Sequence, residues 1–164
     1  MELATIILAI ATIWLAVETR LGLTHTMQVN TWIEMEKRFD GQEMKLARRH
    51  LAVQMEHYNP TGTDDIDETV MDMFDDMGGL YRRNLIDRDM TESFSYQATR
   101  WWKACEPYIA SIRKQEGGKD SFKDFEDFAK EMERKYDPQQ ISSQDMGRFY
   151  EDKKHLAVYP AAPR

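Results

Sequence analysis

Cysteine, proline and glycine are all scarce in this sequence, and each shortage limits what the chain can form. The single cysteine, Cys105, excludes an internal disulfide and is compatible with a reducing compartment. Only 5 Pro and 8 Gly interrupt 164 residues, and extended runs of Val, Ile and Thr are missing after the first segment. This composition predicts an all-α protein, and the length allows one domain with a short appendage.

Positive charge is also in short supply. Lys and Arg number 22 against 29 Asp and Glu, which gives a net charge of −7. Nucleic-acid binding draws its affinity chiefly from Lys and Arg that neutralise phosphates, so we expect no nucleic-acid partner. The charged fraction of 31% and the hydrophobic fraction of 41% are ordinary for folded proteins, which argues against wholesale disorder.

Familiar catalytic and metal-binding motifs are missing from the sequence. The four histidines are scattered at positions 25, 50, 57 and 155, without an H-E-x-x-H or paired E-x-x-H pattern. No C-x-x-C, Gly-rich phosphate loop or G-x-S-x-G elbow is present. The acidic residues 64–68 lack the glycine and the closing glutamate of a calcium loop, so helix capping is the preferred interpretation. We therefore expect no enzyme, metal site, cofactor or small-molecule substrate.

One long apolar run stands out at residues 3–17, LATIILAIATIWLAV, which contains no charged residue. Extension through Leu23 gives about 21 helical residues and about 31 Å, enough to cross the ~30 Å hydrocarbon layer of a bilayer. Glu18 and Arg20 lie near the end of this span, where charged side chains can reach the headgroups. The run predicts a transmembrane helix over residues 1–23.

Two other interpretations of this run stay open. A cleaved signal peptide carries a basic N-terminal region and a cleavage site of small residues, whereas this sequence has Glu2 and no Lys or Arg before Arg20. A buried core helix is the second alternative, because the strictly apolar run is of borderline length for a membrane span.

Two stripes of different side-chain size follow the predicted span. The small stripe consists of Thr5, Ala9, Thr12 and Ala16, and the bulky stripe of Ile6, Ile10, Ile13 and Val17. In lipid, small residues let helix backbones approach closely, so the small stripe predicts contact with another membrane protein subunit. The alternative is that Ala and Thr are simply common in membrane helices.

The residues after the span predict a helical bundle over residues 24–136. The first helix continues beyond the membrane until Asp40-Gly41 breaks it. Apolar periodicity predicts further helices over residues 42–58, from a cap at Thr63 or Asp64 to about residue 80, and over residues 90–115 and 121–136. The longest seam consists of Phe94, Ala98, Trp101, Cys105, Tyr108 and Ile112. Gly78-Gly79 lies inside an apolar pattern and indicates a close helix crossing.

Residues 137–164 are predicted to form a C-terminal extension with a short amphipathic helix near residues 143–154 and an extended tail. The apolar residues of this extension are too sparse to form a core, so we expect them to bind a partner protein. They are Phe149, Leu156, Val158 and Tyr159.

Several short motifs combine aromatic, glycine and arginine residues over about residues 37–134. They are Arg38-Phe39-Asp40 with Glu43-Met44 and Ala47-Arg48-Arg49, Phe74 with Gly79-Leu80-Tyr81-Arg82-Arg83 and Leu85-Ile86-Asp87, Trp101-Trp102 with Pro107-Tyr108-Ile109 and Arg113, and Phe125-Glu126. On these motifs the soluble part resembles a bacterial family of membrane-anchored helical proteins known only as a domain of unknown function. The resemblance implies helical packing and a membrane helix, and it implies no activity and no catalytic residues.

These features favour a non-catalytic accessory or scaffold subunit of a larger inner-membrane complex, with other membrane proteins and the lipid bilayer as partners. The alternative hypothesis is a membrane-tethered sensor or effector whose helical domain binds a ligand or partner. An enzyme with an unrecognised site is a third possibility, against which the missing motifs argue.

The distribution of basic residues predicts the orientation in the membrane. No Lys or Arg precedes the span, whereas Arg20, Lys37, Arg38, Lys45, Arg48 and Arg49 follow it. Cytoplasmic flanks carry the excess of Lys and Arg, so we predict that the C-terminal domain lies in the cytoplasm and Met1 outside.

A C-terminal fusion to alkaline phosphatase tests this orientation, because that enzyme forms its disulfides only in the oxidising periplasm. We expect an inactive phosphatase fusion and a fluorescent fusion when green fluorescent protein takes its place. An active phosphatase fusion would show that the topology is inverted.

Overall fold

The computed structural model describes residues 2–60, 65–86, 89–115, 117–136 and 141–156. Over these ranges the chain is all-α, with no strand, and its first helix is long and apolar, as predicted. The helices are α1 (Glu2–Asp40), α2 (Gln42–Glu56), α3 (Thr69–Arg82), α4 (Glu92–Ile112), α5 (Lys123–Tyr136) and α6 (Ser143–Lys154).

Helix α1 is 39 residues long and continues without interruption from its apolar first part into the bundle. It ends at Asp40, and Gly41 follows in an extended conformation as the N-cap of α2. A Cβ at Gly41 would lie 3.2 Å from the carbonyl oxygen of Arg38, so a larger residue would crowd this tight break. The predicted break at residues 40–41 is confirmed.

Four helices meet at Phe39, in the last turn of α1. Its ring lies 5.0 Å from the ring of Phe94 in α4 and 6.0 Å from that of Phe74 in α3, both in edge contacts. Arg48 of α2 lies over the same ring, with Cζ 3.8 Å from the centroid, and donates a hydrogen bond of 2.9 Å to the carbonyl of Phe39. Trp32 adds a second edge contact from α1 to Phe94, at 4.9 Å. This aromatic cluster fixes α1 to the bundle.

Helices α3 and α5 cross at very short range. Gly78 makes the crossing possible, because a Cβ there would lie 2.1 Å from the carbonyl oxygen of Asp124. The rings of Phe74 and Phe125 stack beside the crossing, with centroids 5.1 Å apart and planes inclined by 14°. The carboxylate of Asp75 accepts a 2.9 Å hydrogen bond from the backbone N–H of Phe125. The predicted close crossing at Gly78-Gly79 is confirmed.

The apolar seam of α4 lies in the core as predicted, and a neighbouring residue joins it. Trp101 and Cys105 are fully buried, whereas Tyr108 and Ile112 are only half-buried. Trp102 lies one position off the seam and is nevertheless buried, because its ring meets Phe125 of α5 edge-on at 5.4 Å. Both tryptophans therefore belong to the core.

Helix α3 begins later than the predicted cap at Thr63 or Asp64. Those two positions lie outside the described residues, and the helix starts at Thr69, whose N–H donates to the Asp67 carboxylate at 3.1 Å. The side chain of Gln54 binds the backbone of residues 65 and 67 at 2.9 and 3.2 Å. These bonds compete with helix formation and bring Ile66 into the core as part of a non-helical segment.

Arg113 joins the end of α4 to α5. Its guanidinium donates to the carbonyl of Ser121 at 2.8 and 2.9 Å and to the carboxylate of Glu126 at 2.7 Å. Lys130 also hydrogen-bonds to Glu126, and these two cations, Lys130 first, lower the pKa of that carboxyl to about 2. The sequence motifs contained both Arg113 and Glu126, but only the fold pairs them.

Two helix glycines make a matched test of the crossing. Gly78→Ala should destabilise the protein by about 1–3 kcal/mol or more, because its Cβ collides with backbone of α5. Gly147→Ala in α6, where nothing lies within 4 Å, should stabilise it by about 0.5–1 kcal/mol through helix propensity alone. Thermal unfolding of the full chain in mild detergent, followed by circular dichroism, measures both. If both variants changed the melting temperature equally and in the same direction, the close crossing at Gly78 would be contradicted.

Candidate functional site

The first part of α1, from Thr5 to Met27, lies apart from the bundle. Eleven large apolar side chains between Ile6 and Met27 are 51% to 69% exposed. An 18-residue window of this helix has a mean hydropathy of 1.8, and none of the window is buried. By length and composition this helix is sufficient to cross a membrane.

Four threonine hydroxyls of this segment are satisfied within the helix. The hydroxyl of Thr12 donates to the carbonyl of Leu8 at 2.8 Å, and that of Thr19 donates to Leu15 at 2.8 Å. Further along, Thr24 and Thr26 make the same four-residue backward bond at 2.9 Å. Such bonds allow a threonine to face an apolar solvent without an unpaired donor.

The small stripe forms one exposed line along this segment. Its steps of four, three and four residues place its members within a sector of about 60° around the helix axis. All four side chains are exposed, and they are Thr5, Ala9, Thr12 and Ala16. Their contact with a partner stays a prediction.

The C-terminal residues predicted to bind a partner are placed differently. Phe149 is fully buried and meets Trp101 edge-on at 4.9 Å, so it belongs to the core and is not available to a partner. The sequence could not reveal this, because a lone phenylalanine on a polar helix gives no periodic signal. Leu156 is half-buried. Val158 and Tyr159 lie outside the described residues, so their role also stays a prediction.

Helix α6 carries Phe149 into place with few apolar side chains. The Ser142 hydroxyl caps the helix by accepting from the N–H of Asp145 at 3.1 Å, and the Asp145 carboxylate accepts from the N–H of Ser142 at 3.0 Å. At the other end, Lys154 pairs with Glu56 of α2. The helix therefore packs on the bundle, although the sequence predicted only an appended extension.

A polar cavity of about 560 Å³ lies between the segment that follows α2 and the C-terminal end of α4. The hydroxyl of Tyr108 donates to the carboxylate of Glu68 at 2.6 Å, and the hydroxyls of Tyr58 and Ser111 are 2.9 Å apart. Burial, followed by the bond to Glu68, raises the pKa of Tyr108 above its ordinary value. The phenol stays protonated near neutral pH, so Tyr108 acts in this cavity as a hydrogen-bond donor.

The single cysteine of the chain lies in the core. Burial of Cys105 raises the pKa of its thiol, so it remains a protonated core residue rather than a nucleophile. Within the part of the chain that the structure describes, no group of three or more His, Cys, Asp or Glu is placed to hold a metal ion. The four histidines are exposed.

The chain matches the model of a protein family. The model of a family described as "Domain of unknown function (DUF4760)" matches residues 1–132. No curated protein matches, and no solved structure matches. The matched residues include α1 and most of α5 and end before α6.

The burial of Phe149 leads to a direct test. Phe149→Ala should destabilise the full chain by about 3–5 kcal/mol, because it leaves a cavity against Trp101. Arg148→Ala, at the exposed neighbouring position, should change the free energy of unfolding by no more than ~0.5 kcal/mol. Denaturant unfolding followed by tryptophan fluorescence compares the two. A Phe149 variant as stable as the Arg148 variant would mean that α6 does not contribute to the core.

Proposed function

The chain belongs to the DUF4760 family, and because that family has no assigned function we propose one from the residues themselves. We propose that the protein is a non-catalytic, membrane-anchored accessory or scaffold subunit of a larger complex in the bacterial inner membrane. The observation that carries this proposal is the uncovered apolar part of α1, which is continuous with a folded bundle.

A lipid environment accounts for the exposure of this segment. Transfer of one large aliphatic or aromatic side chain from water to an apolar medium is worth about 1.5–3 kcal/mol, and eleven such side chains between Ile6 and Met27 are more than half exposed. A continuous apolar surface of this kind is unusual on soluble monomers. The internal bonds of the threonines support the same proposal, because lipid offers no hydrogen-bond partners.

The bundle then lies on the cytoplasmic side, as the Lys and Arg residues after the span predict. The small stripe supplies the docking surface within the membrane. Lipid tails are as apolar as the helices, so close packing of small residues provides much of the attraction between membrane helices.

A non-catalytic role is supported by the chemistry of the bundle. Two of its arginines serve packing: the buried Arg48 binds the end of α1, and the half-buried Arg113 pairs with Glu126 and joins two helices. The residues of the sequence motifs are used in the same way, since Phe74, Trp101 and Phe125 are all core residues. We infer that what defines this domain is its packing and its attachment to α1.

The second candidate is a membrane-tethered sensor or effector. The cavity between Tyr58 and Tyr108 favours it, because a polar cavity of about 560 Å³ can accept a small ligand. Stable association with a defined membrane complex separates the two candidates, since an accessory subunit requires it and a sensor does not.

The small stripe is tested by adding bulk to it. Replacing Ala9 and Ala16 together by Leu should release the protein from its complex, because larger side chains hold the two helix backbones apart. Ala11→Leu is the matched control, since Ala11 lies on another face of the helix and is also exposed. The readout is the partner recovered with the tagged full chain in mild detergent, with circular dichroism as the folding control.

Loss of the partner in the double variant, with retention in the control variant, supports the accessory role. If all variants keep the partner equally, the small stripe is not the docking surface. If the parent protein purifies as a lone monomer, the accessory-subunit proposal fails and the sensor hypothesis replaces it.

A further inference from the structure

The turn that follows α3 is held rigidly at the side of α1. Asn84 adopts a left-handed conformation with φ of 55°. Its N–H donates to the carbonyl of Tyr81 at 3.0 Å, and the N–H of Leu85 donates to the carbonyl of Leu80 at 2.9 Å. These two bonds form a Schellman motif, which ends the helix in a single defined conformation.

A hydrogen bond fixes the level of this turn along α1. The side-chain amide of Gln28 donates to the carbonyl of Asn84 at 2.8 Å. Gln28 is five residues beyond Leu23, the end of the predicted span, which corresponds to about 7.5 Å along the helix axis. Each headgroup layer of a bilayer is about 5–8 Å thick, so the proposed anchoring places the turn at the outer edge of the headgroups.

The side chains of the turn suit such a position. Ile86 is buried and anchors the turn, whereas Leu85 is 38% exposed and Arg83 is exposed. Arginine binds phosphate through paired N–H donors, and a leucine beside it can enter the interface.

Arg83 has no competing partner within the part of the chain described. It lines a surface cavity together with three carboxylates, but each of these already has another partner. The pairs are Asp76 with Arg38 at 3.0 Å, Asp124 with Arg82 at 2.8 Å, and Asp75 with the N–H of Phe125 at 2.9 Å. The guanidinium of Arg83 therefore remains available to an external anion.

We propose that the turn formed by Arg83, Asn84 and Leu85 rests on the cytoplasmic surface of the bilayer, where Arg83 binds the phosphate of an anionic phospholipid and Leu85 enters the headgroup layer. This inference depends on the proposed membrane anchoring through α1. The turn would give the bundle a second contact with the membrane besides α1. The two contacts together would set the tilt of the bundle relative to the bilayer. The exposed Asp89 and Glu92 nearby limit the contact to this turn.

Site-directed spin labelling of the full chain in nanodiscs tests the contact. Cys105 is fully buried, so the reagent reacts with an introduced cysteine. Leu85→Cys reports on the turn, and Leu46→Cys is the matched control. Leu46 has nearly the same exposure, 40%, and it lies two residues before Arg48, which binds the far end of α1. Ile13→Cys reports on the membrane span itself.

In a mixture of phosphatidylcholine and phosphatidylglycerol, the label at position 85 should be protected from a water-soluble relaxation agent, and the label at 46 should not. Arg83→Glu should lower the population in contact at least about fivefold, because loss of one arginine at an anionic surface corresponds to ~1 kcal/mol and the new carboxylate adds repulsion. Arg49→Glu is the control with the same charge change, and it should leave the population in contact with the bilayer unchanged.

The outcomes separate this inference from the proposed function. If the label at 13 lies in lipid while the label at 85 is as accessible as that at 46, the membrane anchor holds and the contact of the turn is refuted. If the label at 13 is also accessible to water, the membrane anchoring fails and this inference fails with it. Protection at 85 that is equal in pure phosphatidylcholine and unaffected by Arg83→Glu would refute the role of Arg83.

Discussion

The attachment of α1 to the bundle at Phe39 is the interaction on which the rest of the structure depends. The ring of Phe39 contacts the rings of Phe74 and Phe94. The guanidinium of Arg48 lies over the Phe39 ring and also donates a hydrogen bond to the Phe39 carbonyl. Because the apolar first part of α1 does not contact the bundle, only the last turns of the helix can attach it there. The buried contacts at Trp32 and Phe39 supply that attachment and give the free part a defined direction.

This attachment makes the protein mechanically continuous from the proposed membrane span to the core. α1 has no break before Gly41, and the turn after α3 is bound to it at Gln28. A partner that moves the span would therefore move the bundle as a unit. For an accessory subunit, this continuity would hold the bundle in one orientation against its complex. For a sensor, the same continuity would transmit a change between the cavity near Tyr108 and the membrane.

Only those parts of the candidate site that follow from helix periodicity within one segment were predictable from the sequence. The small stripe at Thr5, Ala9, Thr12 and Ala16 follows from helix periodicity alone, and the structure places it on one exposed line. Phe149 was interpreted wrongly, because its burial depends on a gap beside Trp101 that is created by other helices. The level of the turn at Asn84 relative to α1 has no sequence signal, since a hydrogen bond across 56 residues fixes it.

The sequence by itself determined the all-α class, the long apolar first helix, the break at residues 40–41 and the core seam of α4. All of these depend on periodicity, composition and backbone preferences within a few turns. Only the tertiary structure decided that Trp102 and Phe149 are core residues, that Arg113 pairs with Glu126, and that α3 begins at Thr69. The physical reason is that burial and pairing at those positions depend on neighbours from other helices, and local periodicity carries no information about which helices meet.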